Sequence, residues 1–148
     1  MFAQATIKLQ GPMDHLRLVW QTGETMLEPV AFEVDPEGTR YNVLLALQEM
    51  VTNVLRHAYE LDERKPLEVT FEVGPEGLQI VLRDQGPAFD PLGFSRAEDE
   101  GDVDGVPTAV GGFGICFARS VMDDVTYERV GGWNCLRLTK SLRVVANA

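Results

Sequence analysis

Glu49, Asn53 and His57 recur at a spacing of four within LLALQEMVTNVLRHAY, residues 44–59. A carboxylate, an amide and an imidazole in one row can accept a proton, coordinate a metal ion through oxygen, or hydrogen-bond a polar ligand. In RDQGPAFDP, residues 83–91, Asp84 is followed by Gly86 where a strand must turn or let another group approach its backbone. Such a carboxylate can accept from an exocyclic amine while the glycine leaves room for a flat ring. The third cluster is Gly111-Gly112-Phe113-Gly114, which opens an apolar-periodic stretch. Glycines ahead of a helix let backbone N–H groups converge, and the helix dipole adds partial positive charge, so phosphates can bind with few basic side chains. Taken singly, the three also read as the wet edge of an amphipathic helix, a strand running into a loop, and a capped hinge. Neither a Walker loop nor a six-residue dinucleotide fingerprint is present.

The elements that must position these groups follow from periodicity. With Glu49 at zero on a helical wheel, Asn53 and His57 fall near about 40° and about 80°. They border an apolar arc formed by Leu44, Leu47, Met50, Val51, Val54, Leu55 and Ala58. His57 lies nearest that arc and is expected to pack. Gln48, Thr52 and Arg56 form a second polar row, expected to face solvent.

Before this helix, ATIKLQGP alternates like a short strand, and Met13, Leu16, Val19, Trp20, Met26 and Leu27 give a first helical stripe. Gly23 should weaken its middle and Pro29 end it. Asp35-Pro36 offers an N-cap and a first-turn proline for the second helix. From Leu67 the period becomes two, and LEVTFEV and LQIVLRD flank the turn GPEG as an antiparallel hairpin. Residues 85 to about 110 lack periodicity and gather Glu98, Asp99, Glu100, Asp102 and Asp104 around the lone cation Arg96, so a long acidic loop is expected there. A third helix follows the glycines, with Ile115, Phe117, Ala118, Val121 and Met122 inward, and two last strands meet at Gly131-Gly132. This order predicts one α+β domain over residues 1–148, with helices on one face of a mainly antiparallel sheet and the other face free for solvent or a partner.

A formal net charge of −10 argues against direct nucleic-acid binding, which needs lysine and arginine to displace counterions. No apolar run is long enough to span a bilayer and no secretory signal opens the chain, so the cytoplasm is the expected location. Cys116 and Cys135 have no ligand-spaced neighbours and are expected to be buried, reduced thiols.

The ordered set Glu49-x-x-x-Asn53-x-x-x-His57-Ala58, Asp84-x-Gly86-x-x-Phe89-Asp90-Pro91 and Gly111-Gly112-Phe113-Gly114-Ile115, with SVMDDVTYE downstream, resembles the GHKL (Bergerat-fold) ATPases. Within them it is most similar to the small bacterial anti-sigma factors that are serine/threonine protein kinases. The resemblance implies a two-layer α/β sandwich that binds ATP and Mg²⁺. It implies Glu49 as the general base for an attacking hydroxyl, Asn53 as the Mg²⁺ ligand, and Asp84 as the adenine contact with Gly86 beside it. Gly111, Gly112, Phe113 and Gly114 would then form the phosphate-binding end of a lid. The implied function is a protein serine kinase acting as an anti-sigma factor in a partner-switching system. It would phosphorylate a serine of an antagonist protein and alternatively sequester a sigma factor, often as a homodimer. The alternative is a nucleotide-binding regulatory module that holds such a partner without significant turnover.

Overall fold

The structure, a computed structural model, describes residues 3–88 and 112–141. Most of the expected acidic loop, with Phe89, Asp90, Pro91 and Gly111, lies outside the described residues.

Two-residue alternation produces the sheet. In β2 (Leu67–Gly74) and β3 (Gly77–Asp84) every second residue is buried, so Leu67, Val69, Phe71 and Val73 share one face with Leu78, Ile80, Leu82 and Asp84. Gly74 pairs with Gly77 across the tight turn. Strand β1 (Ala3–Leu9) adds to the outer side of β2, while β5 (Trp133–Lys140) pairs with β3 and β4 (Asp124–Val130) with β5. The resulting five-stranded sheet runs β1-β2-β3-β5-β4, antiparallel at every junction. Gly131 and Gly132 both take positive φ, 57° and 82°, as the tight hairpin between β4 and β5 requires.

Helices α1 (His15–Leu27), α2 (Pro36–Asn53) and α3 (Gly112–Val121) cover the apolar face, with α2 packed against both of the others. Their inward residues, among them Leu27, Leu47, Val51, Ile115 and Ala118, close the core on Phe71, Ile80 and Leu138. Burying each large side chain of this kind contributes about 1.5–3 kcal/mol. The opposite sheet face is polar. There Thr6 hydrogen-bonds Thr70 at 2.9 Å, Arg83 pairs with Glu68 at 2.6 Å, and the Arg83 guanidinium lies 4.7 Å from the centre of the Trp133 ring. Among the described residues, no helix is long and apolar enough to cross a membrane.

Three local expectations change. The buried line of α1 is His15, Val19, Gly23 and Leu27, whereas Met13 precedes the helix and is exposed. Gly23 therefore lies at the packing contact: a Cβ there would stand 2.4 Å from Leu44 Cδ2 and 3.6 Å from the Phe71 ring. Cys116 is exposed and Cys135 half-buried, because Cys116 follows the inward Ile115 by one position, about 100° around α3. The second helix also does not continue as an α-helix to residue 59. It starts at Asp35-Pro36 as expected, but after Asn53 the chain widens into a π turn, Val54–Ala58, closed by the Tyr59 N–H donating to the Val54 carbonyl at 2.8 Å.

Candidate functional site

The carboxyl-terminal half of α2 adjoins the first turn of α3, and the π turn that follows α2 adjoins the chain at the end of β3. Glu49 and Asn53 are half-buried, and no hydrogen bond or ion pair engages either side chain among the described residues. They remain available because they edge the apolar arc, so the helix cannot rotate them away without exposing Leu47 and Val51. Gly114, third residue of α3, faces them directly. A Cβ on Gly114 would lie 3.3 Å from Met50 Cε and 3.4 Å from both Asn53 Nδ2 and Glu49 Cβ. The absence of that Cβ lets the start of α3 approach the two polar groups closely. Gly112 and Phe113 occupy the first two positions of α3.

His57 does not pack as expected. It is exposed, because the wider π turn carries it off the row that runs through Glu49 and Asn53. The same turn brings Ala58 against Gly86: a Cβ on Gly86 would be 2.7 Å from the Ala58 methyl and 3.0 Å from Asp84 Oδ1. Glycine is thus needed there for helix and strand end to meet, and the space beside its Cα is filled by Ala58.

Asp84 is 6% exposed, which is costly for a carboxylate unless its oxygens are satisfied. Its Oδ1 accepts from the Gly86 N–H at 2.8 Å and from Asn134 Nδ2 at 2.9 Å. Both bonds fall on the same oxygen, and among the described residues Oδ2 receives none. Asn134 stands directly across the β3–β5 ladder from Asp84 and is equally buried. Its Nδ2 also approaches the Gly86 and Pro87 carbonyls at 3.1 and 3.0 Å, while its Oδ1 accepts from Tyr127 and Arg129.

A second tie comes from Tyr59. Its hydroxyl donates to the Pro66 carbonyl and accepts from the Gln85 N–H, fastening the chain after the π turn to the end of β3. Burial pushes the Tyr59 phenol above its usual range; the Gln85 N–H opposes this, and the nearby Asp84 charge adds to it. Neither Asn134 nor Tyr59 stood out among the sequence motifs. One signal for Asn134 was available: it is in phase with Leu136 and Leu138, so an amide occupies the core-facing side of a strand.

A helix edge whose carboxylate and amide have no partner among the described residues, a helix start with a missing Cβ, and a buried carboxylate with one oxygen open among those residues suit a ligand with an anionic end and an amine-bearing flat end. Residues 14–140 match the model of the histidine kinase-like ATPase domain, and the chain belongs to that family of ATP-using domains. Within it, the chain is similar to serine-protein kinases named RsbW. It is 33% identical to that of Bacillus licheniformis over 57% of this chain and 54% of the relative, and 31% identical to that of Halalkalibacterium halodurans over 69% and 62%. The serine/threonine-protein kinase BtrW of Bordetella bronchiseptica is 26% identical over 68% of this chain and 69% of its own. The chain thus spans little more than half the length of the first of these relatives. A crystal structure of RsbU and RsbW domains from Mycobacterium tuberculosis has the same fold, with a TM-score of 0.61 over 95% of this chain and 32% of that one, at 16% identity.

Proposed function

We propose that residues 1–148 form one ATP- and Mg²⁺-dependent protein serine kinase domain that acts as an anti-sigma factor in a partner-switching system. The observation that carries this reading is the apposition of Gly114 with the unpartnered Glu49 and Asn53. It supports an arrangement in which a hydroxyl nucleophile and a triphosphate meet beside α2. The similarity to serine-protein kinases supports the choice of acceptor.

The residues present fit magnesium and ATP. Among the described residues, no three His, Cys, Asp or Glu side chains converge into a metal cage. An amide oxygen supplied by Asn53 suits an ion that keeps most of its oxygen ligands from water and phosphate. When bound, Mg²⁺-ATP supplies the electrophilic γ-phosphoryl group. Glu49 accepts the proton of the serine hydroxyl, holding that oxygen ready for attack. Asp84 Oδ2 accepts from the purine amine and sets the orientation of the ring. The backbone N–H groups of Gly112, Phe113 and Gly114 at the α3 start, with Gly111 before them, receive phosphate oxygens. The partners proposed are an antagonist protein carrying the acceptor serine and a sigma factor, in the cytoplasm, with the chain as a homodimer.

Label supplied on the γ-phosphate of ATP should appear on a serine of the antagonist. Glu49→Ala should keep ATP binding and lose transfer; transfer at the original rate would remove Glu49 from this role. A second reading, a nucleotide-dependent binder with negligible turnover, is favoured by the scarcity of cations near the lid, where Arg96 stands alone in residues 85–110. It requires ATP-dependent capture of the partner with no label transferred.

A further inference from the structure

We propose that Asn134 is a positioning residue that holds the Asp84 carboxylate as a fixed acceptor for a purine amine, and that Tyr127 and Arg129 lock Asn134 in the orientation this needs. The proposal rests on the nucleotide reading of the site and adds residues that reading does not use.

The orientation of the Asn134 amide is fixed by the chemistry of its neighbours. One end lies 2.9 Å from Arg129 Nη1, and a guanidinium can only donate, so that end is the carbonyl oxygen. The Tyr127 hydroxyl donates to the same oxygen. The other end faces Asp84 Oδ1, the Gly86 carbonyl and the Pro87 carbonyl at 2.9, 3.1 and 3.0 Å, all acceptors. A flipped amide would set an oxygen against three oxygens and an NH₂ group against a cation.

The fixed NH₂ group has two consequences. It occupies Asp84 Oδ1 together with the Gly86 N–H, so the carboxylate cannot turn that oxygen to a ligand. It also draws in the carbonyls after β3, to one of which, that of Gly86, Arg129 Nη1 donates as well at 3.1 Å. Asp84 is thereby left with Oδ2 as its open acceptor in a nearly buried setting. An amine at purine position 6 satisfies such an oxygen, whereas a ring with hydrogen or a carbonyl oxygen there leaves it unmet. Asn134 therefore acts on selectivity through Asp84, without touching the ligand.

The test compares ATP with purine riboside triphosphate, which lacks only the 6-amino group, by titration calorimetry on the full chain with Mg²⁺. The wild type should prefer ATP by about 10- to 100-fold, the worth of one hydrogen bond to a charged group. In Asn134→Ala that preference should fall at least about tenfold while affinity for purine riboside triphosphate changes by less than about threefold. Arg129→Met, at an exposed residue, should lower the preference in the same direction, and it decides the matter if Asn134→Ala does not fold. An undiminished preference in the folded variants overturns the proposal, as does an equal loss of both ligands, the mark of a merely structural role. A wild type that binds neither triphosphate overturns the nucleotide reading and this inference with it, whereas a discriminating wild type whose folded variants keep the full preference for ATP overturns only the inference.

Discussion

At Asp84 and Tyr59 the candidate site depends on pairs of hydrogen bonds made by nearly buried groups. Asp84→Asn converts an acceptor-only group into one with a donating end, and it should weaken ATP binding by about 10- to 100-fold, measured by calorimetry. Tyr59→Phe removes one acceptor and one donor, leaving the Gln85 N–H and the Pro66 carbonyl without their partner. It should cost about 1–3 kcal/mol in urea denaturation at neutral pH. The raised phenol pKa adds a pH signature. Because the folded state holds the Tyr59 proton more tightly than the unfolded chain, the associated stability is intact below pH 10.0 and is lost as pH rises through the folded-state value. Tyr59→Phe should lack this alkaline loss when unfolding is followed from pH 8 to pH 11. Glu49, Asn53 and Asp84 stood out in the sequence because spacing along one helix, or a position at a strand end, is local information. The Asp84–Asn134 bond was not legible, since it depends on which strands become neighbours and in what register.

Among the elements, two departures from simple periodicity shape the helical layer. Gly23 would be a helix weakness if α1 stood alone, where alanine is favoured by about 1 kcal/mol. In the packed molecule the added methyl would meet Leu44 Cδ2 at 2.4 Å, and overpacking of this kind costs about 1–3 kcal/mol. Gly23→Ala should therefore lower the melting temperature, and a paired Leu44→Val substitution should restore part of the loss. Gly114→Val should behave differently. Its side chain would press on Met50, Asn53 and Glu49, so nucleotide-dependent stabilisation should disappear before the melting temperature of the free protein falls far. The order of helices and strands was legible because each carries its own hydrophobic period and turn residues. The π turn was not, since one extra residue within five barely alters a pattern counted over sixteen.

Across the whole molecule, one rod, α2 with its terminal π turn, links the two parts of the candidate site. Mg²⁺-ATP at about one hundred times its dissociation constant should raise the unfolding free energy by about 2.7 kcal/mol, seen as a higher melting temperature; an unchanged transition would count against nucleotide binding. The π turn is the last turn of that rod, and its wider pitch resets the angle at which the chain leaves the helix. Glu49 and Asn53 belong to the α-helical part before it, Ala58 closes the turn, and Tyr59 caps it. Loss of one residue from 54–57 would dial Ala58 and Tyr59 through about 100° while leaving Glu49 and Asn53 unmoved. The rod therefore carries a phase offset at its end: shortened there, it would keep its contact with Gly114 and lose its seat at the Gly86 corner.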